Sequence, residues 1–229
     1  MGNSRGLDAA ESPGHDPGAS ATAVRDDDRR QSILLVGFMA SGKSEVARIL
    51  TGRLGWPSLD VDELVEAEAG MSVREIFDRR GEPWFRRREA ALTSRLLDRR
   101  GVIVAPGGGW AGVPGRVSAA PEHVLSVWLR VSAQEAVRRG LGTPGSRPLM
   151  TGGEASTAEG SPGQRAGRPA ETPGARSVPA DGTAGTVARM EALLRHREAG
   201  YREARLHLDT ENGPPEEMAE RILHHLARR

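Results

Sequence analysis

The segment Gly37–Ser44, with the sequence GFMASGKS, fits the pattern G-x-x-x-x-G-K-[ST]. It follows a short apolar run and opens a helical pattern, which is the context that a phosphate-binding loop requires. Glycines let backbone N–H groups turn towards a polyphosphate, and the helix N-terminus adds partial positive charge. Lys43 is suited to reach the β- and γ-phosphates, and the Ser44 hydroxyl is suited to bind Mg²⁺. The motif predicts a nucleotide site, the alternative being a glycine-rich turn that binds none.

The composition strengthens this interpretation of Lys43. Of the 32 basic residues, Lys43 is the only lysine and all the others are arginine. A chain with this bias keeps lysine where a compact, movable ammonium is needed and a planar guanidinium does not fit. A phosphate-binding loop is such a position.

Two further groups of residues stand at the ends of predicted strands. Asp60 and Asp62 lie two residues apart, so that one could hold Mg²⁺ through water and the other could act as a base towards a substrate hydroxyl. The alternative is a helix-capping Asp beside a solvated acid. Gly107, Gly108 and Gly109 lack side chains, which lets a ligand lie against their backbone. A merely mobile loop is the alternative for them.

Several arginines stand at positions that suit the binding of an anion. Arg86 and Glu89 lie in the charge run FRRRE and share a helix face because they are three residues apart. Arg147 stands where the chain enters a Gly- and Pro-rich stretch, which suits a lid that brings in a cation on closing. Arg197 lies four residues before Tyr201. Each arginine, taken singly, is also compatible with a solvated surface. The six histidines show no metal-ligand spacing.

Apolar runs and capping signals predict the elements that position these residues. Capping boxes are expected at Ser72 with Glu75 and at Ser132 with Glu135. Strands are expected at 33–36, 58–62, 102–105, 124–131 and 206–208. Helices are expected after 42, from 61, after 72, and over 82–100, 132–139, 190–201 and 214–226. This alternation predicts a parallel α/β sandwich, although the pattern alone does not give the strand order.

The three chemical motifs share one position relative to these strands. The phosphate loop, the Asp pair and the glycine triplet each follow the carboxyl end of a strand. Ligands of open parallel sheets bind along that edge. We therefore expect the three motifs to meet in one cleft.

Length and charge limit the remaining possibilities. The chain has 229 residues with 32 basic and 31 acidic side chains, which suits one α/β domain and argues against a nucleic-acid-binding protein. It has no cysteine, which excludes a thiol nucleophile and Cys-based metal sites. Apolar stretches are too short for a membrane span, and we expect a cytoplasmic protein. Residues 1–31 are predicted to be a disordered tail, and 32–229 a single domain with a flexible extension at about 142–186.

Taken in order, these segments resemble the shikimate kinase family. The resemblance rests on GFMASGKS, LDVDELVE, SVREIFDRRGEPWFRRRE, the triplet GGG, RPL at 147–149 and R-x-x-x-Y at 197–201. It implies a three-layer P-loop kinase fold, like that of nucleoside monophosphate kinases, with five parallel strands in the order 2-3-1-4-5. It also implies transfer of the γ-phosphate of ATP to the 3-hydroxyl of shikimate in aromatic amino-acid biosynthesis.

The resemblance also assigns roles at the nucleotide. Asp60 joins Ser44 at Mg²⁺ through water, Arg139 lies near the adenine, and Arg147 approaches ATP from the lid. The residues expected around the ATP phosphates are Ala40, Ser41, Gly42, Lys43, Ser44 and Glu45.

At the acceptor, the resemblance implies that Asp62 bonds the accepting hydroxyl and serves as its base. Arg86 and Arg197 are expected to hold the shikimate carboxylate, with Glu89 orienting the arginine and the Gly108 backbone lying against the substrate. No nucleic acid or membrane partner is expected. The protein is expected to be a monomer.

Some segments depart from the family's usual pattern. The stretch 142–186 is longer than usual, Pro106 and Trp110 replace smaller or polar neighbours of the glycine triplet, and DTENGPPEEM lacks a basic residue often found near adenine. Two alternatives stay open: another small-metabolite kinase, such as a gluconate kinase, and a catalytically silent nucleotide-binding relative.

Overall fold

The computed structural model describes residues 31–141 and 182–228. Five parallel strands form one sheet in the order β2-β3-β1-β4-β5, which confirms the order that the resemblance implies. The strands are β1 (Ser32–Gly37), β2 (Ser58–Asp60), β3 (Ile103–Ala105), β4 (Val124–Arg130) and β5 (Leu206–Asp209).

Helices cover both faces of the sheet, as expected where parallel strands are joined by crossovers. The helices are α1 (Lys43–Leu54), α2 (Val61–Ala69), α3 (Val73–Arg80), α4 (Glu82–Leu97), α5 (Gly108–Ala111), α6 (Ala133–Leu141), α7 (Gly182–Tyr201) and α8 (Pro215–Leu226).

The central strand β1 shows why the sheet needs two covering layers. Its side chains alternate between two fully buried cores, with Leu34 and Val36 on one face and Ile33 and Leu35 on the other. Helices α1 and α8 cover the second face, whereas α2 to α7 cover the first. The predicted three-layer sandwich is thereby confirmed. The continuous apolar run at 33–36 indicated it, because strands of parallel sheets that are buried on both faces have such runs.

The order of the strands brings the chemical motifs together. β2, β3 and β1 are neighbours in the sheet, with Asp60 paired to Ala105 and Leu34 paired to Val104. The Asp pair, the glycine triplet and the phosphate loop therefore leave three adjacent strands at the same edge. The three motifs therefore lie at one edge of the sheet, as the sequence predicts.

Several boundaries differ from the sequence prediction. β2 ends at Asp60 because that residue caps α2, so Asp62 is helical and not part of the strand. α4 ends at Leu97, before the predicted 100, and the glycine triplet begins the short helix α5. α7 begins at Gly182, not at 190, so the end of the predicted flexible stretch is helical. The rest of that stretch, and the tail up to residue 30, lie outside the described residues.

One predicted capping box forms and the other forms only in part. Ser72 and Glu75 make both reciprocal bonds at the start of α3. At α6, Ser132 Oγ accepts from the Glu135 N–H at 3.2 Å, but the carboxylate of Glu135 binds arginines instead. The N–H of Ser132 donates to Glu211 at 2.5 Å. A partner distant in sequence therefore replaces the local one.

Candidate functional site

The phosphate loop joins β1 to α1 through backbone conformations that glycine permits. A Cβ added to Gly37 would lie 2.5 Å from the carbonyl oxygen of Leu129, so the loop leaves β1 in close contact with β4. Gly42 has a φ of 86°, and Ala40 also takes a positive φ, of 56°. A non-glycine residue in this region is uncommon and occurs at functional sites. The positive φ values at Ala40 and Gly42 therefore fix a tight turn between β1 and α1.

Two polar groups inside the loop are suited to a phosphate. Lys43 Nζ donates hydrogen bonds to the carbonyl oxygens of Gly37, at 3.0 Å, and Phe38, at 2.9 Å. Ser41 Oγ is buried and has no hydrogen-bond partner among the described residues. A buried hydroxyl without a partner is costly, and a phosphate oxygen seated in the loop would supply one.

Ser44 and Glu45, at the start of α1, differ in what their side chains can offer a ligand. Both side chains are exposed, but the Glu45 carboxylate pairs with Arg48 at 2.6 Å, and this hydrogen bond lowers the pKa of Glu45. The Ser44 hydroxyl stays at the helix N-terminus. Glu45 therefore offers a phosphate only its backbone N–H.

Arg139 ties the phosphate loop to the end of β5. It donates to the carbonyl oxygen of Ala40 at 3.4 Å and to the hydroxyl and carbonyl oxygens of Thr210 at 3.1 and 2.7 Å. Its Nε binds Glu135 at 2.6 Å, and hydrogen bonds from Arg138 and Arg139 lower the pKa of Glu135 to about 2. Arg139 thus lies beside the phosphate loop and forms these hydrogen bonds with protein groups.

The two aspartates have separate functions in the backbone turn after β2. Asp60 Oδ1 accepts from the N–H groups of Asp62, at 2.9 Å, and Glu63, at 3.4 Å. Asp60 is therefore the helix cap that the sequence left as an alternative. Asp62 lies in the first turn of α2 and is 9% exposed, so it is not the solvated acid of that alternative.

The charge run on α4 divides between the inside and the outside of the molecule. Arg86 Nη1 donates to Glu89 Oε2 at 2.9 Å, which confirms the predicted shared face, and Arg86 also binds Glu82 at 2.8 Å. Arg87 is exposed, and Arg88 forms an ion pair with Glu68. Within the run, Arg86 is therefore the arginine that lies against the buried Glu89 and the glycine triplet.

The residues that the resemblance assigns to the acceptor meet at the glycine triplet. A Cβ on Gly107 would lie 2.5 Å from Glu89 Oε1 and 2.7 Å from Asp62 Oδ1, and a Cβ on Gly109 would lie 2.7 Å from Arg86 Cζ. Because each glycine lacks a side chain, the two carboxyl groups and the guanidinium pack directly against backbone.

The middle glycine joins this cluster to the phosphate loop. A Cβ on Gly108 would lie 2.9 Å from the Tyr201 hydroxyl, 3.5 Å from Arg197 Nη1 and 3.2 Å from the carbonyl oxygen of Gly37. That carbonyl accepts the hydrogen bond from Lys43. A molecule bound at the triplet is therefore next to the phosphate loop, which is the geometry that transfer between two ligands needs.

The electrostatics of the cluster centre on Glu89. This carboxyl is fully buried, and its Oε1 has no hydrogen-bond partner among the described residues. Burial raises the pKa of Glu89 to about 7 against the opposing effect of Arg86, and the charge of Asp62 raises it further. Burial alone would lower the pKa of Arg86, but Glu89 and Glu82 together raise it. Arg86 thus stays charged while Glu89 titrates near neutrality.

The stability of the protein should depend on pH through Glu89. The pKa of this group is about 7 in the folded chain against an ordinary value of 4.5, so the folded state binds more protons between these values. Stability therefore falls as pH rises through this window. We expect the free energy of unfolding of Glu89→Gln, relative to the unaltered protein, to rise by about 3 kcal/mol from pH 4.5 to 8, at about 1.4 kcal/mol per pKa unit. Urea titrations at several pH values measure it. Parallel profiles for the two proteins would contradict the pKa assigned to Glu89.

Tyr201, on α7, has a structural partner that the sequence did not reveal. Arg197 and Tyr201 stand one helical turn apart, and the buried Tyr201 hydroxyl donates to the carbonyl oxygen of Gly108 at 2.8 Å. Burial raises the pKa of Tyr201 to about 12 despite the charge of Arg197, so the phenol stays a neutral donor. The R-x-x-x-Y spacing was the available signal, but it did not identify the partner.

The structure brings most of the predicted site residues to one edge. Gly42, Lys43, Ser44 and Arg139 lie at or beside the phosphate loop, and Asp62, Arg86, Glu89 and Arg197 lie around the glycine triplet. Arg147 lies outside the described residues. Thr210, which receives Arg139, was not predicted, because no local pattern marks it.

Comparison with known proteins assigns this arrangement to a family. A model of the shikimate kinase family matches residues 39–227. The chain is 32% identical over 195 residues to a shikimate kinase of Synechococcus sp., covering 85% of this chain and 84% of the relative. It is 42% identical over 123 residues to a shikimate kinase of Moorella thermoacetica, covering 54% of this chain and 70% of the relative.

Solved structures support the fold. A shikimate kinase from Bacteroides thetaiotaomicron superposes with a TM-score of 0.68 at 20% identity, covering 86% of this chain and 98% of the other. A shikimate kinase from Acinetobacter baumannii, in complex with shikimate, gives 0.65 at 24% identity, covering 86% and 93%. Within the part of the chain that the structure describes, no helix is long and apolar enough to span a bilayer.

Proposed function

This chain belongs to the shikimate kinase family and is an ATP-dependent kinase, and we propose how its residues promote phosphorylation of the 3-hydroxyl of shikimate by ATP. The glycine triplet carries the proposal. It gathers Asp62, Arg86 and Arg197 around one patch of backbone that adjoins the carbonyl oxygen of Gly37 in the phosphate loop. An acceptor with a carboxylate and a hydroxyl suits two arginines and one carboxylate at this place.

On the donor side, Lys43 and the loop N–H groups bind the ATP phosphates. The Lys43 ammonium is held by two carbonyl oxygens and exchanges one of them for phosphate oxygens when the nucleotide enters. The buried Ser41 hydroxyl gains its partner at the same time. Arg139 keeps Ala40 in its positive-φ conformation by bonding the carbonyl oxygen of that residue. The donor phosphate is thereby directed towards the triplet.

On the acceptor side, Arg86 and Arg197 bind the carboxylate, and Asp62 accepts a hydrogen bond from the 3-hydroxyl. The hydroxyl oxygen attacks the γ-phosphorus, a new P–O bond forms, and the bond to the β–γ bridging oxygen breaks to release ADP. The proton of the hydroxyl passes to Asp62. Phosphoryl transfer depends on positioning and charge neutralisation more than on covalent help from the protein, which this set of residues provides.

Mg²⁺ fits the oxygen donors at the donor edge. The ion prefers hard oxygen ligands and keeps several waters, and the Ser44 hydroxyl and the Asp60 carboxylate are such donors at the ends of neighbouring elements. Asp60 Oδ1 already caps α2, which suits a bond through water better than direct ligation. When bound, Mg²⁺ neutralises charge on the β- and γ-phosphates. Arg147 is proposed to bring further positive charge to ATP, and this role rests only on the resemblance to the family.

Release of ADP tests this function against its two alternatives. Gluconate also has a carboxylate and hydroxyls, so charge alone does not separate the two acceptors, and the proposal rests on family membership for the choice. We expect coupled ADP release that needs shikimate and is not supported by gluconate or by ATP alone. Activity with gluconate in preference to shikimate would support the other kinase, and nucleotide binding without turnover would support the silent relative.

A further inference from the structure

Helices α5 and α7 approach each other more closely than side chains would allow. A Cβ on Gly200 would overlap the carbonyl oxygen of Ala111 and lie 2.8 Å from the carbonyl carbon of Gly112. A Cβ on Gly112 would in turn lie 2.5 Å from Cγ of Arg197. The neighbours of Gly200 are backbone atoms of Ala111 and Gly112, which cannot move aside by a rotamer change. A side chain at Gly200 must therefore push one helix away from the other.

A hydrogen bond fixes the same two helices one residue further along. The hydroxyl of Tyr201 donates to the carbonyl oxygen of Gly108 at 2.8 Å, and the ring is fully buried. It packs against Trp128 of β4 with ring centroids 5.9 Å apart. The end of α7 is therefore located by backbone contact at Gly200, by a hydrogen bond at Tyr201 and by the sheet behind it.

The acceptor-side arginine depends on this contact. Arg197 lies one turn before Tyr201 on the same face of α7, and Gly108 belongs to the triplet against which we place the substrate. A displacement of α7 relative to α5 changes the distance between the Arg197 guanidinium and the triplet, whereas Lys43 and the phosphate loop lie on other elements. A guanidinium moved away from the triplet forms weaker hydrogen bonds with the substrate carboxylate, so the loss should fall on substrate binding.

We propose that Gly200 and Tyr201 are positioning residues of the acceptor site, which act by setting the place of Arg197 relative to the glycine triplet. The inference rests on the proposed function. It predicts that changes at these two positions weaken the binding of shikimate and spare the binding of ATP.

Gly200→Ala tests the backbone contact, and Gly52→Ala is its matched control. Gly52 lies in α1, where an added Cβ meets no atom within 4 Å. For Gly200→Ala we expect the KM for shikimate to rise about tenfold or more, with the KM for ATP within about twofold and kcat within about threefold. Gly52→Ala should leave all three unchanged. A merely structural role would lower kcat with the active fraction and leave both KM values unchanged, which would overturn the proposal.

Tyr201→Phe keeps the proposal testable if Gly200→Ala does not fold, because it removes only the hydroxyl. We expect the KM for shikimate to rise about fivefold to tenfold, the effect of losing one neutral hydrogen bond, with the KM for ATP unchanged. Equal changes in both KM values, or none, would overturn the proposal. An unaltered enzyme that does not phosphorylate shikimate would instead contradict the proposed function, so the two failures can be told apart.

Discussion

Replacing Asp62 by Asn is expected to lower kcat by about 10²–10⁴-fold, the range for loss of a general base. The substitution keeps the shape of the side chain and its place in the first turn of α2, but the amide cannot take the proton of the accepting hydroxyl. ATP should still bind, because the phosphate loop follows β1, whereas Asp62 follows β2. Steady-state kinetics with shikimate, and a separate titration with nucleotide, measure the two effects.

Asp78→Asn is the matched control for this change, since Asp78 is exposed on α3. It should retain the kcat of the unaltered enzyme. If Asp62→Asn also keeps a kcat close to that value, Asp62 is not the base, and its burial beside Gly107 reflects packing alone.

Removal of either arginine that faces the acceptor should reduce kcat/KM for shikimate strongly. Arginine binds a carboxylate through two parallel hydrogen bonds, and loss of one partner from a desolvated pair costs about 2–5 kcal/mol. We therefore expect Arg86→Ala and Arg197→Ala each to lower kcat/KM by about 30-fold to several thousandfold, at about 1.4 kcal/mol per factor of ten. The affinity for ATP should change little. Initial rates over a matrix of both substrate concentrations separate the two constants.

The charge run on α4 supplies its own control. Arg87 stands beside Arg86 in sequence but is exposed, so Arg87→Ala should change neither constant appreciably. Similar losses for Arg86→Ala and Arg87→Ala would mean that a general electrostatic effect of the basic surface, and not a specific clamp, binds the acceptor. Arg86→Ala should additionally leave Glu89 buried without its cation, so its stability needs to be measured alongside its kinetics.

Much of this site could be predicted from sequence because its determinants are local. The phosphate loop is a contiguous motif, and the spacing of Arg86 and Glu89 defines a shared helix face regardless of what surrounds it. The apolar run before Gly37 indicated a buried strand for the same reason. The position of three motifs after three strands was also sufficient to predict that they share one edge of the sheet.

The parts that were missed depend on partners distant in sequence. Ser132 and Glu135 have the spacing of a capping box, but arginines and Glu211 compete for the same groups once the chain has folded. The sequence left open whether Asp60 caps a helix, and only the folded chain shows that it does and that Asp62 is buried instead of solvated. The contact of Gly200 with α5 has no sequence signal at all, since a glycine inside a helical pattern does not name the backbone it approaches.

The position of the phosphate on the product tests the central claim most directly. The unaltered enzyme is incubated with ATP, Mg²⁺ and shikimate, and the product is examined by ³¹P NMR with coupling to ring protons. The arrangement of Asp62, Arg86 and Arg197 around the glycine triplet predicts a single phosphomonoester coupled to the proton on the 3-carbon, formed in step with ADP. Inorganic phosphate as the only new signal, or a phosphate on another hydroxyl, would contradict the claim that this site presents the 3-hydroxyl of shikimate to ATP.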